Sequence, residues 1–274
     1  KLKSEDGSRL ELQDTTLDFS GTIVAGHSFW DGPASMKVGS VRVFEPEGQS
    51  NITLQGVALD SATSVREDMV DTSFKVHVAN IDAPGYATSD MQLHLSLKNI
   101  ASSWLDQLLA WAQGNMQDDA HRMELLRSLP VLLERKPEIA IERLAIRTPE
   151  GHSELSARLA YQGENTSTFD PLTDLYGSLR ASMPQALLKM LMAEKVRSDY
   201  ATLLEQLGQE MEEAALQAEV DDGVQKRIQG LLNNDIVRAQ GDTFSAELEY
   251  SQGDIKLNGV STSLQKLWGI GGAM

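Results

Sequence analysis

Between residues 91 and 98 the chain alternates without a break: Met91, Leu93, Leu95 and Leu97 are apolar, and Gln92, His94, Ser96 and Lys98 between them are polar. Successive side chains of a strand point to opposite faces, so this pattern belongs to a sheet with one face buried and the other in water. A helix would scatter the same leucines around its circumference. The rhythm recurs at Phe74, Val76 and Val78 against Ser73, Lys75 and His77, and more weakly over residues 10–19, 37–44 and 51–59. Turn-rich stretches separate the runs at residues 30–34 (WDGPA), 45–49 (EPEGQ) and 81–85 (IDAPG). No connection here is long enough for the crossover that parallel neighbours need, so the first hundred residues read as an antiparallel meander.

The period then changes. Ser103 and Asp106 have capping-box spacing, and Trp104, Leu105, Leu108, Leu109, Trp111 and Ala112 follow at helical intervals. Aromatics at that spacing are more often core than a ligand clamp. A second helix is predicted over residues 118–134, kinked or split by Pro130. Strands return at residues 138–147 and 153–161, joined by the hairpin-like TPEG of residues 148–151. Within the first, Ile139 and Ile141 change parity to Leu144 and Ile146, which predicts a bulge near Glu142 and Arg143. A polar loop over residues 162–168 leads to a strand at 174–182, and Pro184 suits the first turn of a following helix.

That helix carries a long stripe. Leu188, Met192, Val196, Tyr200, Leu204, Leu207 and Met211 recur every three to four residues, a candidate surface for a partner, a second copy or a hydrophobic ligand. Unbroken, it would be about 45–50 Å long. Gly208 is a candidate interruption, and Asp222-Gly223 is read as its stop, with a separate short helix over residues 224–232. A hairpin of residues 243–250 and 254–258 and an amphipathic end at 264–268 close the chain.

The expected architecture is α+β: a long antiparallel, curved β-sheet meander with amphipathic helices packed on or beside it. Residues 1–100 form the meander, and residues 101–274 alternate helices with hairpins as a continuation of it in one composite domain. Amphipathic helices beside a sheet usually bury their faces there, so the first expectation is a closed core. The alternative is an apolar trough left open.

Chemistry is hard to find. There is no cysteine, which removes disulfides, thiolate metal sites and thiol nucleophiles together. Gly26-His27-Ser28 and Gly151-His152-Ser153 begin a nucleophile elbow, but both lack the second glycine. His27, His77, His94, His121 and His152 form no metal-ligand spacing, and Asp221-Asp222-Gly223 lacks the alternating acids of a calcium loop. No cofactor is expected. Forty acidic residues against 24 basic ones make the net charge −16, which repels nucleic acid. The expectation is a non-enzymatic binding or scaffolding module, for a lipid or for a hydrophobic partner segment. The runner-up is a hydrolase of envelope glycans acting through carboxylates.

Residues 129–151 (LPVLLERKPEIAIERLAIRTPEG) read as helix end, proline, strand and turn, and residues 243–259 (TFSAELEYSQGDIKLNG) as a terminal hairpin followed by Ser263–Trp268. In these segments the chain resembles the YdgA-like family of uncharacterised bacterial envelope proteins, the domain of unknown function 945. The resemblance implies an N-terminal inner-membrane anchor ahead of a periplasmic body, and no catalytic residues. On that view the chain, which opens at Lys1 near a strand-like pattern, is the C-terminal part of a longer protein.

Overall fold

A computed structural model describes residues 2–3, 9–44, 51–84, 86–113, 119–164, 166, 168–209 and 211–263. The turn read at residues 45–49, the amphipathic end at 264–268 and the side chain of His121 lie outside the described residues.

The meander is β1 (Leu2–Lys3), β2 (Arg9–Phe19), β3 (Thr22–Ile23), β4 (Trp30–Phe44), β5 (Asn51–Arg66), β6 (Met69–Ala83) and β7 (Tyr86–Ala101). Three helices follow, α1 (Ser102–Gln113), α2 (Asp119–Arg127) and α3 (Leu129–Leu133), before the hairpin β8 (Glu138–Thr148) and β9 (Gly151–Tyr161). Then come α4 (Pro171–Asp174), β10 (Leu175–Pro184), α5 (Gln185–Leu207) and α6 (Glu213–Asn233). The last strands are β11 (Arg238–Gln240), β12 (Thr243–Ser251), β13 (Asp254–Leu257) and β14 (Val260–Thr262). The order across the sheet is β1-β2-β4-β5-β6-β7-β8-β9-β10-β12-β13-β14, with short β3 on β4 and β11 on β12. All these pairings are antiparallel, and the curved sheet does not close. The fold is α+β, as the alternation requires. The helices are excursions: β7 still pairs with β8, and β10 with β12, across them.

The register turns eleven strands into one continuous surface. One row runs Phe19, Ala34, Ser61, Phe74, Leu95, Ile141, Ala157, Leu179, Leu248, Leu257, Val260. The row two residues away runs Leu17, Met36, Leu59, Val76, Leu93, Leu144, Leu155, Ala181, Ala246. The intervening row is polar: Asp18, Ser35, Asp60, Lys75, His94, Arg143. Alternation therefore sorts the whole sheet into one apolar and one charged face.

Two irregularities keep that sorting intact. The expected bulge at Glu142–Arg143 is present, a register shift between Ile141 and Leu144 that holds both on the apolar rows. A second break crosses five strands, where Asp14, Gly39, Gly56, Ala79 and Asp90 fall between registered pairs. There the apolar parity changes in every strand but the last, as from Leu12 to Leu17, from Leu54 to Val57 and from Ile81 to Val78. Asp14, Gly56 and Asp90 are left-handed, with φ of 54°, 60° and 51°. Aspartate and glycine are residue types that tolerate this conformation. Val38 and Val78, beside the crease, are buried.

Several boundaries differ from expectation. Residues 30–34 open β4 instead of forming a turn. The predicted second helix divides at Ser128, and Pro130 sits in the first turn of α3, where its missing N–H is harmless. Pro184 ends β10 and caps α5 from outside. The long helix stops at Leu207, with Gly208 left-handed at φ 62°. Asp222-Gly223 does not stop a helix: α6 runs through it to Asn233. A Cβ at Gly223 would lie 3.0 Å from Val196 Cγ1, so the glycine serves the close approach of α6 to α5.

Candidate functional site: an uncovered apolar face

The helices bury their apolar sides at two opposite ends of the strands. Near the end of β7, Trp104, Leu105 and Leu109 of α1 and Leu129 and Leu132 of α3 pack with Phe29, Val70, Leu97 and Ile100. Trp104 is thus core, not a clamp. At the opposite strand end, where Met183 of β10 faces Phe244 of β12, α5 and α6 close over Phe244 with Val196, Val220, Val224 and Ile228. The helices close a core at the strand ends, and Val38 and Val78 beside the crease and Ile255 and Leu257 of β13 are buried as well.

Between these two clusters the apolar face is open on β2, β6, β8 and β9, whereas Ile255 and Leu257 of β13 are buried. Leu17 is 72% exposed, Phe19 54%, Phe74 40%, Ile139 54% and Leu159 47%. Their row neighbours Met36, Leu59, Leu93, Leu144, Leu155 and Leu248 are only partly buried. The third row, Thr63, Thr72, Leu97, Ile139, Leu159, Gly177, Tyr250, Ile255, Thr262, is equally free of charge. Of its three threonines, Thr63 and Thr72 satisfy each other, Oγ1 to Oγ1 at 3.1 Å, while the buried Thr262 hydroxyl has no partner among the described residues. At strand spacings of about 4.8 Å, the eleven-strand row is about 48 Å long. Monomeric surfaces rarely leave so continuous an apolar strip without a use.

The other face is a lattice of paired charges. Lys98 Nζ lies 3.1 Å from Glu138 and 3.4 Å from Glu142, and Arg158 also pairs with Glu138. Arg143 reaches Glu154 at 3.2 Å and Arg180 reaches Glu247 at 2.6 Å. Buried Ser96 donates to Glu142 at 2.7 Å. That hydrogen bond, joined by the Lys98 ammonium, holds the Glu142 carboxyl below the ordinary carboxylate range although partial burial pushes it up. The Glu138 carboxylate holds Lys98 above its usual range. The shallow hollows here, of about 470 Å³ and 310 Å³, are lined in part by these paired groups.

The predicted stripe on α5 divides. Val196 is 2% exposed, and Leu188, Met192 and Tyr200 pack with it against α6, so this part is an internal seam. Leu204 is partly buried, Leu207 is 58% exposed, and Met211 lies exposed beyond the helix end. The serine near miss also resolves. Asp106 of α1 takes the His27 ring at 2.6 Å and the Ser28 backbone N–H at 2.9 Å, tying the loop before β4 to the helix. Among the described residues no group of three or more His, Asp or Glu is placed to hold a metal, and no helix is long and apolar enough to cross a membrane. The exposed residues Leu17, Phe19, Ile139 and Leu159 were not legible as a site, because alternation marks a face without saying what covers it.

A family model described as a bacterial protein of unknown function (DUF945) matches residues 1–265. No curated protein and no solved structure matches the chain.

Proposed function

The chain belongs to this bacterial family of unknown function, and we propose that it is a binding module that seats the acyl chains of lipids on its uncovered apolar face. The observation that carries the reading is the charge-free strip from Phe19 to Val260, open where Leu17, Phe19, Ile139 and Leu159 meet solvent. Protein partners bring hydrogen-bonding groups, about one hydrogen bond per 100–200 Å² of interface. This face offers them almost nothing: its sheet backbone is paired, its charges point the other way, and Thr63 and Thr72 bond each other. Hydrocarbon asks for no polar partner and is the better match.

The carboxylate-hydrolase alternative finds less support. A general acid needs a carboxyl raised towards neutrality. Asp90, Glu142 and Asp199 are displaced downward, by hydrogen bonds from Gln92, Ser96 and Lys195. The proposal also takes up the periplasmic setting and inner-membrane tether that the sequence resemblance implies, which would put the face beside a supply of lipid.

Titration of the protein with cis-parinaric acid tests the reading. Saturable binding is expected, monitored by fluorescence and displaced by palmitic acid. Absence of binding at micromolar concentrations would refute it.

A further inference from the structure

We infer that the hollow between α5, α6 and the end of β12 holds the carboxylate of a fatty acid, with Lys189 as its counter-charge and the acyl chain leading out onto the sheet. This rests on the lipid-binding reading above and adds a polar end to it. The hollow measures about 610 Å³, within the range of small-molecule sites, about 300–1,000 Å³. Its wall is apolar where Ala193, Val224, Ile228 and Phe244 meet, the last three of them buried. Among the described residues Lys189 is the one cation lining it, and neither its ammonium nor the Gln225 amide has a side-chain partner.

The register of the two helices gives the hollow a polarity. Gly223 of α6 stands against Val196 of α5, and the Tyr200 hydroxyl of α5 donates to Glu219 of α6 at 3.1 Å. The helices are antiparallel, so each step back along α5 matches a step forward along α6. Lys189 thus comes opposite Gly230, about nine residues or about 13 Å along the axis from Asp221. Asp221, the one carboxylate in the described lining, is therefore farther from Lys189 than a Debye length of about 8 Å. It also accepts the Gln217 amide at 2.8 Å. One positive charge calls for one negative charge, which a carboxylate carries and a phosphate monoester, at about −1.5 to −2, exceeds. Inward from Phe244 the same face of the sheet presents Ala181 beside Ala246, then Leu179 beside Leu248. The two methyl groups leave a low path for a chain from the hollow to Leu248 and on towards exposed Leu159 of β9.

Isothermal titration calorimetry with decanoate and with 1-decanol separates the charge from the chain, at about pH 8 where a carboxyl is ionised. The unmodified protein is expected to bind decanoate about fivefold more tightly than decanol, the scale of one solvent-accessible ion pair. Lys189→Met should weaken decanoate to the level of decanol and leave decanol unchanged. Lys195→Met, on the same helix but tied to Asp199 at 2.6 Å, should leave the preference intact. Both lysines are exposed, so both variants should fold, and circular dichroism checks this. Equal binding of acid and alcohol by the unmodified protein, a preference that survives Lys189→Met, or one equally lost in Lys195→Met overturns the headgroup inference while the lipid reading stands. Binding of neither compound overturns the lipid reading itself.

Discussion

Replacing Gly56 by alanine should destabilise the protein far more than the same change at Gly241, although the two glycines share a φ of +60°. The left-handed conformation costs an L-residue about 1–2 kcal/mol, and both variants carry that cost. They differ in surroundings. A Cβ at Gly56 would stand 2.9 Å from Ala79 Cβ on the neighbouring strand, whereas a Cβ at Gly241 meets nothing within 4 Å. Forcing a methyl into such a contact adds about 1–3 kcal/mol. Gly56→Ala is therefore expected to lose about 2–5 kcal/mol and Gly241→Ala about 1–2 kcal/mol. Removing the opposing methyl isolates the contact. In a double-mutant cycle, Ala79→Gly should recover about 1–2 kcal/mol in the Gly56→Ala background, beyond its own effect on the unmodified protein. Urea unfolding followed by far-ultraviolet circular dichroism supplies all four stabilities. A Gly56→Ala protein as stable as the parent would mean that position 56 has ordinary strand geometry, where this exchange usually stabilises. The crease across β2 to β7 would then not exist as described.

Other outcomes follow from the two faces and the helical seam. Ser96→Ala removes the donor that holds the Glu142 carboxyl down, so the Glu142 titration seen by carbon NMR should move up towards the ordinary range. The sign is fixed: a lowered folded-state pKa contributes stability that is present above the ordinary carboxylate range and lost as pH falls through the lowered value. The variant should therefore lose less stability than the parent on acidification, and an unmoved Glu142 titration would show that Ser96 is not its donor. Val220, fully buried between α5 and α6, should lose about 2 kcal/mol on truncation to alanine, by the cavity argument. Leu207→Glu should change stability by less than about 0.5 kcal/mol, since that side chain stands mostly in water. If sedimentation shows that Leu207→Glu dissociates an oligomer, the exposed end of α5 is an interface between copies.

Local rules account for most of the elements. The hairpin at residues 148–151, the bulge at Glu142–Arg143 and the division of the helix at Pro130 were all legible, because each depends on neighbours within a few residues. Errors came where a local signal had a long-range answer. Asp222-Gly223 has the composition of a helix stop, yet α6 continues because Val196 of α5 packs where any side chain at 223 would stand. WDGPA has the composition of a turn, yet β5 pairs with it through Gly32, Pro33 and Ala34 and draws it into β4. The crease was invisible for the same reason: Asp14, Gly56 and Asp90 look unrelated until the register sets them in one row.

The amino-acid sequence by itself determined that this protein is an antiparallel sheet with one apolar and one charged face, because side-chain alternation is a property of each strand alone. Period also located α1 and most of α5, but not the extent of α6, and the capping-box Ser103 lies inside α1. Only the tertiary structure decided which apolar surface is core and which is open. The stripe on α5 looked available and is largely used against α6, while the sheet face looked like core and is uncovered on β2, β6, β8 and β9. Burial is a relation between segments far apart in the chain, and α1–α3 and α5–α6 settle at the ends of the strands where Ile100 and Phe244 lie, leaving Leu17, Phe19, Ile139 and Leu159 to the solvent.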